Sequence, residues 1–421
     1  MRSAEITKDG HLASFGNLAM SSLSAPSSLG SLAGIRVIDL TRVISGPFAT
    51  QMLGDHGAEI IKVETVGEGD VVRRQGNMIN GFSAYFAQFN RNKRSLTLNL
   101  RSERGRRILA SLLEGADVLV ENYRPGVLAS MGLDDETLRQ RYPRLVVGRI
   151  NGFGSSGPYR DRPAYDFVAQ AMSGFMGVNG EAGGVPMRAA PPISDMVASL
   201  NLAFGVSAAL VRRERTGQGE IVETALTNGL VAMMGYLAAE YFATGEVPKR
   251  TGNDHPMLYP YGLFTAADGE VAIAPSSETM VMRLLTALGQ QQLLEDPRFD
   301  SNDKRMQHRE PLRERLNSVI GQRTVAEWIT QLNEAGVPCG RVHDIAETFE
   351  DPQIQHQQMR LELDQGEVGH ITTTGFPVKM REAPAAVRCP APQLGEHTDE
   401  ILEELGIGAE ERRALYDQGV I

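Results

Sequence analysis

The sequence predicts an α/β protein: a large domain carrying a doubly wound, mostly parallel sheet, and a smaller α+β domain set within the chain. Three observations lead there. Short apolar runs alternate with stretches of helical spacing from about residue 32 to residue 150, the pattern of successive βαβ units. After Gly217-Gln218-Gly219 the pattern changes, and from Thr324 onward it changes again. A chain of 421 residues is also long enough for two or three domains and a large core. The expected division is a lead-in over 1–30, the N-terminal part of the large domain over 31–225, the small domain over 226–325 and a return to the large domain over 326–421.

Taken in order, Ile35–Thr41 is the first strand, and a helix starts near Ser45-Gly46-Pro47 and runs to about Gly57. Glu59–Thr65 is the second strand. Ser102–Gly115 is helical because Ile108, Leu109 and Leu112 fall on one face. Asp117–Glu121 and Leu145–Ile150 are the next two strands, completing the core of a Rossmann-like sheet. Asp195 to about Arg215 is a long helix, basic at its end, where cations suit the helix dipole. Asn228–Ala243 reads as one helix, and Tyr261–Ala274 as a hairpin turning at Asp268-Gly269. Ser276-Ser277-Glu278 opens a further helix. Val325–Glu334 is another, followed by Val337–Val342, a late strand and a final helix.

Composition removes several function classes. Lys and Arg number 42 against 52 Asp and Glu, a net charge of −10, which leaves no footprint for nucleic acid. A local basic pocket for a small phosphorylated ligand stays open. Cys339 and Cys389 make neither a disulfide framework nor a metal cluster, and they fit a reducing, cytoplasmic compartment. The eight histidines show no metal-ligand spacing. No apolar run is read as approaching the roughly 20 residues of a membrane span. The Ser-, Gly- and Ala-rich first 30 residues lack a secretory signal's basic start and apolar stretch, and read as a disordered lead-in.

One familiar motif fails on context. Gly152-Phe153-Gly154-Ser155-Ser156-Gly157 matches the dinucleotide fingerprint letter for letter, but Pro158 through Pro163 follow it where a helix should open. The first strand, where that fingerprint belongs, leads instead into Arg42-Val43-Ile44-Ser45-Gly46-Pro47. A glycine-rich turn is the better reading.

A set of segments carries more weight: Asp39-Leu40-Thr41 with Ser45-Gly46-Pro47; Ile61-Lys62-Val63-Glu64; Asn90-Arg91-Asn92-Lys93-Arg94-Ser95; Glu121-Asn122-Tyr123-Arg124-Pro125-Gly126; Asn151-Gly152-Phe153-Gly154; Tyr165-Asp166 with Gln170-Ala171; and Leu394-Gly395-Glu396-His397-Thr398. In this order and spacing the chain resembles the family III coenzyme A transferases, from about Leu32 to its end. α-Methylacyl-CoA racemases share that fold and most of these segments. The resemblance implies an interlocked dimer, each subunit a ring threaded through the other, an exception to the rule that chains do not thread.

The resemblance also implies a catalytic carboxylate at Asp195, in Ala190-Pro191-Pro192-Ile193-Ser194-Asp195. Read from the residues alone, Asp195 is an N-cap or first-turn acid of a long helix. Both roles are compatible, since a helix N-terminus holds a carboxylate ionised and aimed, as a nucleophile must be. A CoA groove would take Arg42 and Ser45, Leu98 and Arg101, and Asn122, Tyr123 and Arg124, with Tyr165 and Asp166 beside the pantetheine arm. Phosphates call for arginines and free backbone N–H groups, although Arg101 and Arg124 also read as ordinary surface charge. Thr65 and Ser130 stand where formyl-CoA transferase has arginines, and Arg124 compensates. That enzyme's run of glycines in the small domain is absent. Here Gly252 to Tyr261 is closer to the dicarboxylate-type members, with His255 and Tyr259 as candidates for touching the acceptor acid or for turn and core roles.

The implied function is CoA transfer from an acyl-CoA, succinyl-CoA or similar, to a free carboxylic acid such as a small dicarboxylate. CoA is then a substrate, and no cofactor or metal is bound permanently. The alternatives are a racemase on the same fold and a non-catalytic acyl-CoA-binding protein. Racemases carry a histidine where this chain has Tyr165, and a phenol with an ordinary pKa of about 10 is a poor base at neutral pH.

Overall fold

The computed structural model describes residues 30–421. The lead-in expected over 1–30 lies, but for Gly30, outside them. Six strands form a wholly parallel sheet: β1 (Arg36–Asp39), β2 (Glu59–Glu64), β3 (Lys93–Thr97), β4 (Val118–Glu121), β5 (Val146–Asn151) and β6 (Ile221–Ala225). Their spatial order is β3-β2-β1-β4-β5-β6. The order reverses between β1 and β4, which opens a crevice at the carboxyl ends of those two strands.

Alternate residues of the strands feed two cores. Val37, Ile60, Val118 and Val146 pack with Ala49 and Leu53 of α1 (Ser45–Asp55) and with Ala198, Leu202 and Val206 of α5 (Ile193–Thr216). Ile38, Ile61, Leu119 and Val147 pack with Leu109 and Leu112 of α3 (Glu103–Glu114), Leu402 of α11 (Thr398–Glu404) and Leu415 of α12 (Ala409–Asp417). Burial on both faces makes such strands near-continuous apolar runs, which is why β1, β2, β4 and β5 are legible.

β3 and β6 are not among the expected strands. β3 reads Lys-Arg-Ser-Leu-Thr, and its Lys93 is 0% exposed. β6 is an edge strand in which only Ala225 is buried. The single helix expected over Asn228–Ala243 is two, α6 (Leu226–Met233) and α7 (Gly235–Thr244), parted where Gly235 adopts φ 49°. The final helix is likewise two, α11 and α12, with Gly406 between them. α5, at 24 residues, is long and apolar enough to cross a membrane, contrary to the reading that no run approaches that length. Its buried face instead packs on α1 and β5.

A third core belongs to an antiparallel sheet, β7 (Gly262–Ala266), β8 (Gly269–Ile273) and β9 (Cys339–Arg341), in the order β9-β8-β7. Phe264 and Val271 pack there with Leu284 of α8 (Glu278–Ala287), Leu312 and Leu316 of α9 (Arg309–Ile320), and Trp328 and Leu332 of α10 (Val325–Glu334). Residues 326–337, assigned from sequence to the return, therefore lie in this core. The helix starts follow the expected chemistry. Ser102 and Ser277 accept from the N–H groups of Gly105 and Met280, and Thr324 with Glu327 forms a capping box. The late strand is a hairpin, β10 (Arg360–Asp364) with β11 (His370–Thr374). The chain then returns to β3: the Gly395 N–H donates to Ser95 Oγ at 2.9 Å, and the Thr97 N–H to Thr398 Oγ1 at 3.1 Å.

Candidate active site

The crevice between β1 and β4 is shaped by buried charge. Asp39, at the end of β1, accepts from the Thr41 N–H at 2.8 Å, Thr50 Oγ1 at 2.7 Å and Lys93 Nζ at 3.0 Å. Lys62 Nζ donates to the Thr41 carbonyl at 2.7 Å and to Asp70 at 3.2 Å. Burial alone would raise the Asp39 carboxyl, but Lys93 and Lys62 beside it hold it down at about 2. So Asp39, Lys62 and Lys93, prominent in the sequence segments, are loop-shaping residues under the site.

The loop they shape is clamped from β4. Asn122 Oδ1 accepts from the Arg42 N–H at 3.0 Å, and Asn122 Nδ2 donates to the Arg42 carbonyl at 2.8 Å. Val43, a β-branched residue at φ 71°, is held in that strained conformation by Asp70, whose carboxylate accepts the Val43 N–H at 3.1 Å. Gly46 opens α1 against Thr41, where any Cβ would overlap the Thr41 side chain.

Asp195 occupies the first turn of α5, behind an N-cap, Pro192, that supplies no side-chain bond. The cap is external. Asp166, first residue of α4 (Asp166–Met172), accepts from the Ser194 N–H and from Ser194 Oγ, both at 2.9 Å, and from Gln170 Nε2 at 2.7 Å. Asp195 is thereby released from capping. Burial and the Asp166 charge push its carboxyl up to about 7, with the Ser45 hydroxyl pulling the other way. Burial thus opposes the ionising effect expected of the helix N-terminus.

Two adjoining clefts receive the sequence candidates. A cleft of about 850 Å³ is lined by Asp195, Ser45, Asn122 and Tyr165 together with Arg42, Tyr123 and Arg124. The last three also line a wider cleft of about 1730 Å³ that holds Leu98, Arg101 and Thr65. Nine positions proposed from sequence thus meet along one groove. Three candidates stand apart. Asp166 is 7% exposed and works inside, on α5. Tyr259 is 1% exposed in the core of the antiparallel sheet, its carbonyl accepting from Arg305 Nε at 2.7 Å. His255 stacks on Tyr236 at 5.6 Å and lines neither cleft.

Sequence reasoning missed Tyr85, Arg160 and Arg162. Tyr85, in α2 (Ala84–Asn90), is pushed up to about 12 by burial and by the charges of Asp195 and Asp70, so its hydroxyl stays a donor within electrostatic range of Asp195. Nothing around a lone tyrosine in Ser-Ala-Tyr-Phe marks it. Arg160 and Arg162 line the narrower cleft with Asp195. Their signal was present, two arginines within the loop that spoils the dinucleotide motif.

A doubly wound sheet with a freed carboxylate and arginine-lined clefts at its switch point defines an enzyme for a large anionic ligand. The chain belongs to CoA-transferase family III, whose profile matches residues 32–398. It is similar to the succinyl-CoA:glutarate CoA-transferase of Mus musculus, 35% identical over 94% of this chain and 89% of that one. It is similar also to the succinyl-CoA:mesaconate CoA-transferase of Haloarcula hispanica, 36% identical over 92% of this chain and 100% of the other. Among solved structures, a CAIB/BAIF family protein from Brucella suis superposes with TM-score 0.79 at 35% identity, covering 89% of this chain and 99% of that one.

Proposed function

We propose that the protein transfers CoA from succinyl-CoA, or a similar acyl-CoA, to a small dicarboxylate, with Asp195 as nucleophile. The observation that carries the reading is the release of Asp195 from helix capping by Asp166, inside a cleft lined by arginines. The names of the relatives support the substrate class, since both mammalian and archaeal relatives are succinyl-CoA:dicarboxylate transferases.

In this reading the CoA phosphates lie in the wider cleft near Arg101 and Arg124, with Leu98 against the adenine end. The pantetheine arm passes Arg42, Asn122, Tyr123 and Tyr165 towards Ser45. Ionised Asp195 attacks the thioester carbonyl, forming a mixed anhydride and expelling CoA thiolate. The thiolate attacks the aspartyl carbonyl, which releases the first acid and leaves an aspartyl-CoA thioester. The second acid's carboxylate then reverses both steps. Each step exchanges acyl groups of similar energy, so neither ATP nor metal is consumed. Backbone N–H groups at the start of α1, beside the Ser45 hydroxyl, are the candidate oxyanion donors. Asp166 is a positioning residue. A racemase is disfavoured because Tyr165 replaces the histidine base.

The enzyme acts as a cytoplasmic homodimer of the interlocked type. The exposed apolar faces of α5 and α7, with Phe204 77% and Phe242 79% exposed, support association of two chains. The deciding experiment is Asp195→Ala with succinyl-CoA and glutarate. Transfer should be abolished with CoA-ester affinity little changed, and hydroxylamine added with acyl-CoA should convert only residue 195 of the wild type to a hydroxamate. Substantial transfer by Asp195→Ala overturns the assignment.

A further inference from the structure

We infer that Arg162 is a specificity-determining residue that holds the free carboxylate of a dicarboxylic acyl group while its other end reacts at Asp195. The inference rests on the dicarboxylate reading above and supplies the residue behind it. When donor and acceptor are both dicarboxylic, every acyl group in the site carries a spare negative charge in the cleft that Asp195 lines. That charge needs a fixed cation in the same cleft.

Four arginines line the cleft with Asp195: Arg42, Arg124, Arg160 and Arg162. Arg42 and Arg124 also face the wider cleft with Arg101, on the path of the charged end of CoA. Arg160 is turned to its neighbour, Nε lying 3.3 Å from Asp161 Oδ1. Arg162 lines only the narrower cleft, and its sole side-chain partner among the described residues is an aromatic ring.

That ring fixes it. The Arg162 guanidinium lies 3.8 Å from the centroid of Tyr159, and Tyr159 packs edge-on against Phe153 at 5.7 Å. The Arg162 N–H donates to the Tyr159 carbonyl at 2.9 Å. Phe153 stands two residues beyond the end of β5, so the arginine is braced on the sheet. A guanidinium stacked on its face keeps its N–H edge free, which is the edge that meets a carboxylate in two parallel hydrogen bonds.

The test compares glutarate with its monomethyl ester as acceptors, using the full chain. Arg162→Gln should lower kcat/KM for glutarate about 10- to 100-fold, mostly through KM, because the contact is the same in ground and transition states. It should change the monoester value less than about threefold, while Arg162→Lys restores part of the loss and Arg298→Gln, at a surface arginine paired with Asp296, leaves both acceptors unchanged. Exposed as it is, the residue can be changed with the fold intact, which a thermal melt checks. Equal losses on diacid and monoester, or no loss on the diacid, overturn the inference. So does a defect that disappears with dephospho-CoA esters, which would place Arg162 on the CoA phosphate. A wild-type enzyme that moves CoA to monocarboxylates and to no dicarboxylate defeats the underlying reading itself.

Discussion

Asp166 and Asp195 divide two jobs that one aspartate at a helix start usually combines. Asp166 reaches from α4 to bind Ser194, and Asp195 is left facing the cleft with its carboxyl raised to about 7. A carboxyl raised on folding binds its proton more tightly in the native state, so ionising it opposes folding. The cost is absent below the unfolded value of 3.8, grows between there and about 7, and is complete above that. At its upper limit it is roughly 4 kcal/mol. Asp195→Asn should therefore raise the thermal midpoint by several degrees at pH 8, with the gain shrinking towards pH 5, followed by calorimetry. A gain independent of pH would show that the carboxyl is not raised. From sequence, the position of Asp195 was legible through its neighbours in the chain. Its freedom was not, because Asp166, which grants it, lies 28 positions before Ser194 in another helix.

The strands legible from sequence are those whose side chains are apolar on both faces, as in Ile60-Ile61 and Val146-Val147. β3 escapes the same reading because its first buried side chain is a lysine. Lys93 belongs inside only because Asp39, Pro47 and Asn90 accept its three protons, a pairing no periodicity reveals. The helix starts capped by Ser102, Ser277 and Thr324 were read to within a residue, whereas α2, capped by Ser83, and the break at Gly235 were not. A Met- and Ala-rich run looks continuous whichever backbone angle its glycine takes. Removing one partner of a buried ion pair strands the other without water. Lys93→Met should thus destabilise the protein by about 3–5 kcal/mol, read as a fall in the urea midpoint. Replacing Asp39 as well, with Asn, should recover part of the loss. A change under about 1 kcal/mol would mean that Lys62 alone satisfies Asp39.

At the scale of the molecule, α5 presents Leu200, Phe204 and Val211 to the outside at 51%, 77% and 56% exposure. Such a face on the helix that carries Asp195 is costly in water. Light scattering should give the mass of two chains, and Phe204→Glu should weaken that association; a monomer at micromolar concentration would refute the dimer. The change of pattern after Gly219 pointed to the region of the antiparallel sheet, but the far limit of its core was not legible, since Trp328 and Leu332 are as apolar as residues of the main sheet's cores.

The bonds from β3 to the last segment of the chain also set a timetable. Ser95 meets Gly395 across 300 positions, and Thr97 meets Thr398 across 301. At about 5–20 residues per second, a ribosome delivers those partners roughly 15–60 s after β3 itself has emerged. For that interval the outer edge of the main sheet has no cover, and such an edge can pair with any other strand that reaches it. The nascent chain therefore passes through a long window in which the edge of β3 lacks the segment that covers it in the finished fold.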